Sequence, residues 1–468
     1  MKRCRKVGKG MVSLVVLLTL GVLTRVTLTA VVPVPQAPPV FTPVTINSSP
    51  GDQFDPHISG DWVAYTDDVT IRYYNFTTNV DAVIPSGGGA RDLLSDVSGS
   101  KIVFSRVTVG VGTAVMVFDA ATAAPPIEID PAPGTTRLGA AIGGNTVAYI
   151  DFGLQANGEL VIFELSTSTS TRITSDTAID GNPSVSPDGN VVVWEHCVSS
   201  LTNCDIYQTV RSGAIWNTSV VSDTPSPEAN PDTNGALVVY DSQRGTNPDI
   251  FWRPVGGGAE VQLELPGLEG NPSIAGNYIA FEGRASLLDS ADIFVYDILN
   301  NLLYQITDTP LVNEQLNDIT LLPDGRLRAV WASDEDGADQ RNIKAVTFRL
   351  PTYSAAAIQP PINANGSSVF NAKRGVVPVK FTLASNGAAT CQLPAATIAV
   401  TRTAGGTLGA INESDFTQPS DTGANFRIDA TSCQYIYNLG VGSLGAGTYL
   451  VQIKIGGTPV GSATLALK

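Results

Sequence analysis

Beyond residue 30, apolar and polar positions alternate in short runs, and no stretch holds a helical spacing for long. Alternation with a period of two marks half-buried strands. One longer pattern recurs: Asn or Asp, Pro, two or three residues, a turn, then a β-branched pair ending in an aromatic. The clearest copies are DPHISGDWVAY (55–65), NPSVSPDGNVVVW (182–194), NPDTNGALVVY (230–240) and NPSIAGNYIAF (271–281). Weaker copies are SDVSGSKIVF (95–104), LGAAIGGNTVAY (138–149) and NDITLLPDGRLRAVW (317–331). The aromatic anchors Tyr65, Phe104, Tyr149, Trp194, Tyr240, Phe281 and Trp331 are spaced by 39, 45, 45, 46, 41 and 50 residues. A period near 45 suits a four-stranded propeller blade.

A second strand follows each anchor after a polar turn, as in IRYYNF (71–76), DIYQTV (205–210) and DIFVYDI (292–298), and a further one often follows that, as in YQITDT (304–309). Pro is tolerated at the start of the innermost strand, where its missing N–H is harmless. The seventh copy ends at Phe348 without an outer strand, while an orphan strand stands at the front, PVTINSSPGDQFDP (43–56). If residues 43–48 complete the last blade, the ring closes and hides its edges. The expected fold is therefore all-β: a seven-bladed propeller over residues 43–350, with six blades as the alternative, and a strand-rich C-terminal unit over residues 351–468.

Composition agrees with many short strands and tight turns: 45 Gly, 30 Pro and only 15% charged residues in 468. The N-terminus has the form of an export signal. Lys2, Arg3, Arg5, Lys6 and Lys9 precede an apolar run from Met11 to Leu23, which is short for a membrane span. Residues 1–30 are expected to be the signal, with an uncleaved membrane anchor as the alternative, and residues 31–42 a Pro-rich extended linker. Losing residues 1–30 removes six of 28 basic side chains, leaving 22 against 43 acidic ones, a net −21. Such a surface repels phosphate backbones and speaks against a nucleic-acid partner. Four cysteines remain after Cys4. Their even number in an exported chain favours the disulfides Cys197–Cys204 and Cys391–Cys433.

The DIY/DIF strands, the ITD turns and the NPS-x-SPDG-x-hydrophobic-aromatic units resemble the TolB-type, WD40-like propeller repeats over roughly residues 43–350. PPINANGSSVF, PVKF (Pro378 to Phe381) and GTYLVQIKI resemble the PxKF domain of prokaryotic exported and surface proteins over roughly residues 355–468. The second resemblance implies an immunoglobulin-like accessory module. Together they imply a secreted, periplasmic or cell-surface location. Neither implies a function, because one fold hosts many.

Chemistry is sparse. Only two histidines exist, and His57 reads as a variable turn residue, because Ser184, Asp232 and Ser273 take its place in sister repeats. His196 sits at a strand end beside Cys197, and nothing near either histidine completes a metal-ligand set. No G-x-S-x-G elbow is present. SDEDGADQRN (333–342) has the acidic look of a calcium loop but aligns with the ordinary turn DSQRGTNPD (241–249). No metal, cofactor or catalytic residue is assigned. The remaining candidates are the Asx residues at the head of the innermost strands: Asp55, Asn182, Asn230, Asn271 and Asn317. They are expected to recur near one channel mouth, either binding a ligand or capping turns. The leading expectation is a binding or scaffold protein for a protein or glycan partner. The alternatives are an extracellular polysaccharide hydrolase or lyase and a structural envelope component.

Overall fold

The computed structural model describes residues 28–35, 41–86, 88–198, 203–337, 340–373, 375–406 and 409–468. Most of the expected signal, residues 1–27, lies outside them, as do residues 36–40 of the Pro-rich stretch. No helix occurs among the described residues; the chain is all-β. It contains a β-propeller.

The propeller sheets follow the sequence repeat. The first is Gln53–Ser59, Trp62–Asp67, Thr70–Asn75 and Val80–Val83, paired in that order as an antiparallel meander. Equivalent meanders begin at Ala90–Ser98, Arg137–Gly143, Ile179–Val185, Glu228–Thr233 and Leu268–Ala275. The last has three strands in sequence, Glu314–Leu321, Leu327–Ser333 and Asn342–Phe348, and takes its outer strand, Val44–Asn47, from the front of the chain. Thr45 pairs with Lys344 and Asn47 with Ile343. The innermost strand of each sheet lies against that of the next, and Glu314–Leu321 lies against Gln53–Ser59. We number these sheets one to seven in the order given.

The seam between sheets seven and one uses the contacts found at other seams. Ile58 N–H donates to Asp318 at 2.8 Å, as Ile142 N–H donates to Asp96 at 2.7 Å and Ile274 N–H to Asp232 at 2.8 Å. Matching positions therefore meet at every one of these seams, and the innermost strands run in the same direction along the axis.

All seven aromatic anchors are at most 1% exposed. They lie mid-strand, packed between neighbouring sheets, which is why the sequence keeps a large flat residue there. Three tyrosine anchors also bond carboxylates, Tyr65 and Tyr240 on the outer strand of their own sheet and Tyr149 in the connection from sheet two to sheet three. Tyr65 donates to Asp81 at 2.6 Å and Tyr149 to Asp130 at 2.7 Å; Tyr240 bonds Glu260. The arginines Arg72, Arg137 and Arg244 accompany these pairs.

The end of the expected signal and the start of the extended Pro-rich linker pair with propeller sheets. Leu28–Val31 runs parallel to Glu260–Leu263 on sheet five, and Val34–Pro35 runs beside Leu302 and Leu303 on sheet six. An outermost strand presents a row of unpaired N–H and C=O groups, which an extended chain can cover. The C-terminal unit comprises two sheets, built on Val376–Ser385 with Gln434–Gly440 and on Gly447–Ile455 with Thr458–Leu467. Their inner faces share one apolar cluster with sheets six and seven. Contact is close at the Gly456 turn (φ 56°), where a Cβ would overlap the Asn300 carbonyl oxygen. Lys380 points outward between the fully buried Val379 and Phe381, as strand alternation requires. Disulfides join Cys197 to Cys204 and Cys391 to Cys433.

Candidate functional site

The Asx–Pro pairs sit in a β-bulge. In sheets one, four, five and six, two residues of the innermost strand oppose a single residue, the aromatic anchor. The first of the two takes a left-handed conformation: Asp55 (φ 55°), Asn182 (47°), Asn230 (51°) and Asn271 (51°). Asx tolerates that region better than other residues with a Cβ, and the following Pro fixes the exit. Asn317 differs. The bulge of sheet seven has the same length, with Leu316 opposite Trp331 and Asp318 opposite Val330, so Leu316 takes the place of the Asx residues and Asn317 that of the prolines, and the Asn317 side chain lies outside the described set. Asn317 is therefore one position past the other four and inequivalent to them.

Carboxylates on the second strands hold these asparagines. Glu195 accepts from Asn182 Nδ2 at 3.0 Å and from the backbone N–H of Asn230, one sheet on, at 2.9 Å. Asp241 does the same for Asn230 Nδ2 (2.8 Å) and Asn271 N–H (2.9 Å). Glu282 accepts from Asn271 Nδ2 at 3.0 Å. Each acid thus ties the bulge of its own sheet to the next. Burial raises Asp241 to about 6 and Glu282 to about 7, partly offset by these donors. For three of the five candidates, capping describes the contacts better than ligand binding. Sequence reasoning missed Glu195, Asp241 and Glu282, although each directly follows its anchor aromatic.

Past the bulge, the next side chain of each innermost strand faces the channel. Around the axis these are His57, Asp96, Ala141, Ser184, Asp232, Ser273 and Asp318, and all of them line a cavity of about 930 Å³ together with the four bulge Asx residues. His57 is therefore not a turn residue; the two-residue bulge restores its alternation and turns it inward. Ser184 donates to Asp232 at 2.6 Å and Ser273 to Asp318 at 2.9 Å, so sheet four is linked to five, and six to seven, side chain to side chain. His57 lies 3.7 Å from Asp96, 3.9 Å from Asp318 and 3.5 Å from Asp55. Burial opposes its charge, but these three carboxylates outweigh burial and lift it to about 10. Burial also raises Asp96, and raises Asp318 to about 7, against the pull of His57.

A raised histidine stabilises the fold while it holds its proton. Its contribution is complete below its unfolded value near 6.5 and is lost as pH climbs through about 10. His57→Gln is accordingly expected to be less stable than the wild type at pH 6. Urea denaturation at a series of pH values should show that gap closing toward pH 10; a gap independent of pH would contradict the ion-pair reading.

Among the described residues, one further group brings three potential metal ligands within 4.8 Å: Glu195, Cys197 and Cys204. Both sulfurs belong to the disulfide, so they offer no thiolate. His196 is held elsewhere, with Nδ1 2.7 Å from the buried Asp180.

No family model matches the chain, and no curated protein matches it. Solved structures do. TolB from Acinetobacter baumannii aligns at 17% identity over 62% of this chain and 77% of its own, with a TM-score of 0.37. The β-propeller domain of the Trilobed protease from Pyrococcus furiosus aligns at 12% over 64% and 96%, TM-score 0.47. An oligogalacturonate lyase in complex with manganese aligns at 16% over 68% and 98%, TM-score 0.47. The chain spans 54% of the length of a similar prolyl endopeptidase, at 14% identity over 73% of its own length and a TM-score of 0.49. These similarities describe a fold that the sheet order already establishes.

Proposed function

We propose that this chain is an exported or cell-surface binding scaffold: a seven-bladed propeller of the TolB type that presents its acidic channel mouth to a cationic group on a protein or glycan partner. The C-terminal unit is read as a PxKF-type immunoglobulin-like attachment module. The observation that carries the reading is the ring of Asp55, Asp96, Asp232 and Asp318 around the 930 Å³ cavity, with His57 as the ring's own cation. Backbone N–H groups of neighbouring sheets fix three of these carboxylates, so they are pre-oriented before a ligand arrives. A basic start, a short apolar run and paired cysteines support export.

Calorimetric titration of the full chain with lysine- and arginine-containing peptides and with amino-sugar oligomers tests the reading. Binding that weakens at least about tenfold in Asp232→Asn, equivalent to about 1.4 kcal/mol, supports it. Binding indifferent to Asp232, or none across the panel, contradicts it.

A second reading, cleavage of an extracellular polysaccharide, draws on Asp318 and Glu282, both raised by burial to about 7, a value suited to proton transfer. Release of oligosaccharides by the purified chain, abolished in Asp318→Asn, would replace the binding reading.

A further inference from the structure

The channel ring is chemically uneven. Asp96 and Asp318 flank His57 from the sheets on either side, and Asp55 stands on its own strand. Asp232, on sheet five, accepts from Ser184 at 2.6 Å and from the Ile274 N–H at 2.8 Å. No Lys or Arg lines the cavity, so among the described residues His57 is the ring's one basic side chain.

The two nitrogens of His57 show why it carries a charge. Nδ1 lies 3.7 Å from Asp96 Oδ1 and 3.9 Å from Asp318 Oδ2, and Nε2 lies 3.5 Å from Asp55 Oδ1. A neutral imidazole has one N–H and one lone pair, so on one side it would turn a lone pair toward a carboxylate. Only the imidazolium, with an N–H on each nitrogen, suits both sides. These three carboxylates are the titratable groups that face His57. Asp232 stands across the channel, near enough for its charge to act on both Asp96 and Asp318.

A ligand cation at this mouth meets the same carboxylates. Beside a charged His57 it would share them with a second positive charge. Two like charges about 4 Å apart, in surroundings of intermediate polarity, repel enough to weaken a proton's hold about a thousandfold. That brings a histidine held at about 10 down to near neutrality.

We propose that the ring takes up its ligand by exchange: an ammonium or guanidinium enters among Asp96, Asp232 and Asp318, and His57 gives its Nδ1 proton to solvent. This rests on the reading of the channel mouth as a cation site. One positive charge enters and one leaves, so the ring has the same net charge empty and filled. His57 thereby keeps the empty site assembled and sets its selectivity. The ligand must bring a charge able to replace the proton, and acid favours its release.

The probe is an arginine peptide blocked at both ends, whose guanidinium stays charged at every pH used. The chain has only two histidines, so the imidazole ¹⁵N signals of the full chain report each one. His57→Gln assigns them, or His196→Gln should the first fold poorly. At about pH 8, His57 of the free protein is expected to be doubly protonated. Saturation with peptide should turn its signals to the neutral pattern and leave those of His196 in place. His57→Lys cannot shed its charge at that pH, so it should bind the peptide at least about tenfold more weakly than the wild type. A His57 that stays doubly protonated in the saturated complex, or that is already neutral in the free protein, would overturn the exchange. So would equal affinity in His57→Lys. If Asp232→Asn still weakened binding in those cases, the cation-site reading would stand without the exchange; no peptide binding at all would end both.

Discussion

Deleting residues 1–48 is expected to cost the propeller its cooperative unfolding transition, whereas deleting residues 1–40 should leave that transition in place. The difference between the two is the strand Val44–Asn47. Without it, Asn342–Phe348 becomes an open edge, and sheet seven loses its outer strand. Ile46 packs with Val63, Tyr65, Val330 and Ile343 across the seam, and burial of one such side chain is worth about 1.5–3 kcal/mol. Asn47 Nδ2 donates to Tyr65 Oη at 2.9 Å, which carries the link into sheet one, and each such bond contributes about 1 kcal/mol net. Phe41, whose ring lies 4.7 Å from that of Phe348, is retained in the shorter deletion. Circular dichroism against temperature, with limited proteolysis, distinguishes the two chains. The longer deletion should melt broadly and be cut readily by protease, whereas the shorter one should keep a single cooperative transition; a cooperative transition retained in the longer deletion would contradict the closure.

The second large effect is at Trp194. Trp194→Ala is expected to destabilise the chain by about 3–5 kcal/mol, the usual cost of removing a fully buried Trp. Two terms contribute. The side chain is 0% exposed and packs with Ile150, Ile162 and Val192 between sheets three and four. Its Nε1–H also donates to Asp180 at 3.0 Å, the carboxylate that holds His196. Trp194→Phe separates the terms, because Phe104 and Phe281 fill the same place in sister sheets. Its cost should fall to about 1–3 kcal/mol, the loss of one of the hydrogen bonds to Asp180, which keeps His196 and Thr174. Urea denaturation of both variants reads the difference; a Trp194→Phe cost near zero would mean that the Asp180 bond contributes nothing, and equal costs that the packing does.

How much of this was legible beforehand follows from the range of each interaction. Anchor spacing and strand alternation are local, so the repeat, the all-β class and the front strand could be read from the chain. The Asx–Pro motif was visible too, but its meaning was not. Asn230 is held by Asp241 in its own sheet and by Glu195 one sheet back, and no local pattern pairs residues 35 apart. His57 was misread because a bulge of two residues shifts alternation in a way that composition does not record. The pairing of Leu28–Val31 and Val34–Pro35 could not be read because their partners, Glu260–Leu263 and Leu302–Leu303, lie more than 200 residues away.

The central claim is that the ring is closed by the front of the chain. Thr45 and Lys344 are paired across the last sheet, so the double variant Thr45→Cys, Lys344→Cys tests it directly. Under mild oxidation the account predicts a new disulfide, seen by mass spectrometry as one peptide linking positions 45 and 344, with a raised melting temperature. Two thiols that stay freely alkylatable in the folded protein would contradict it.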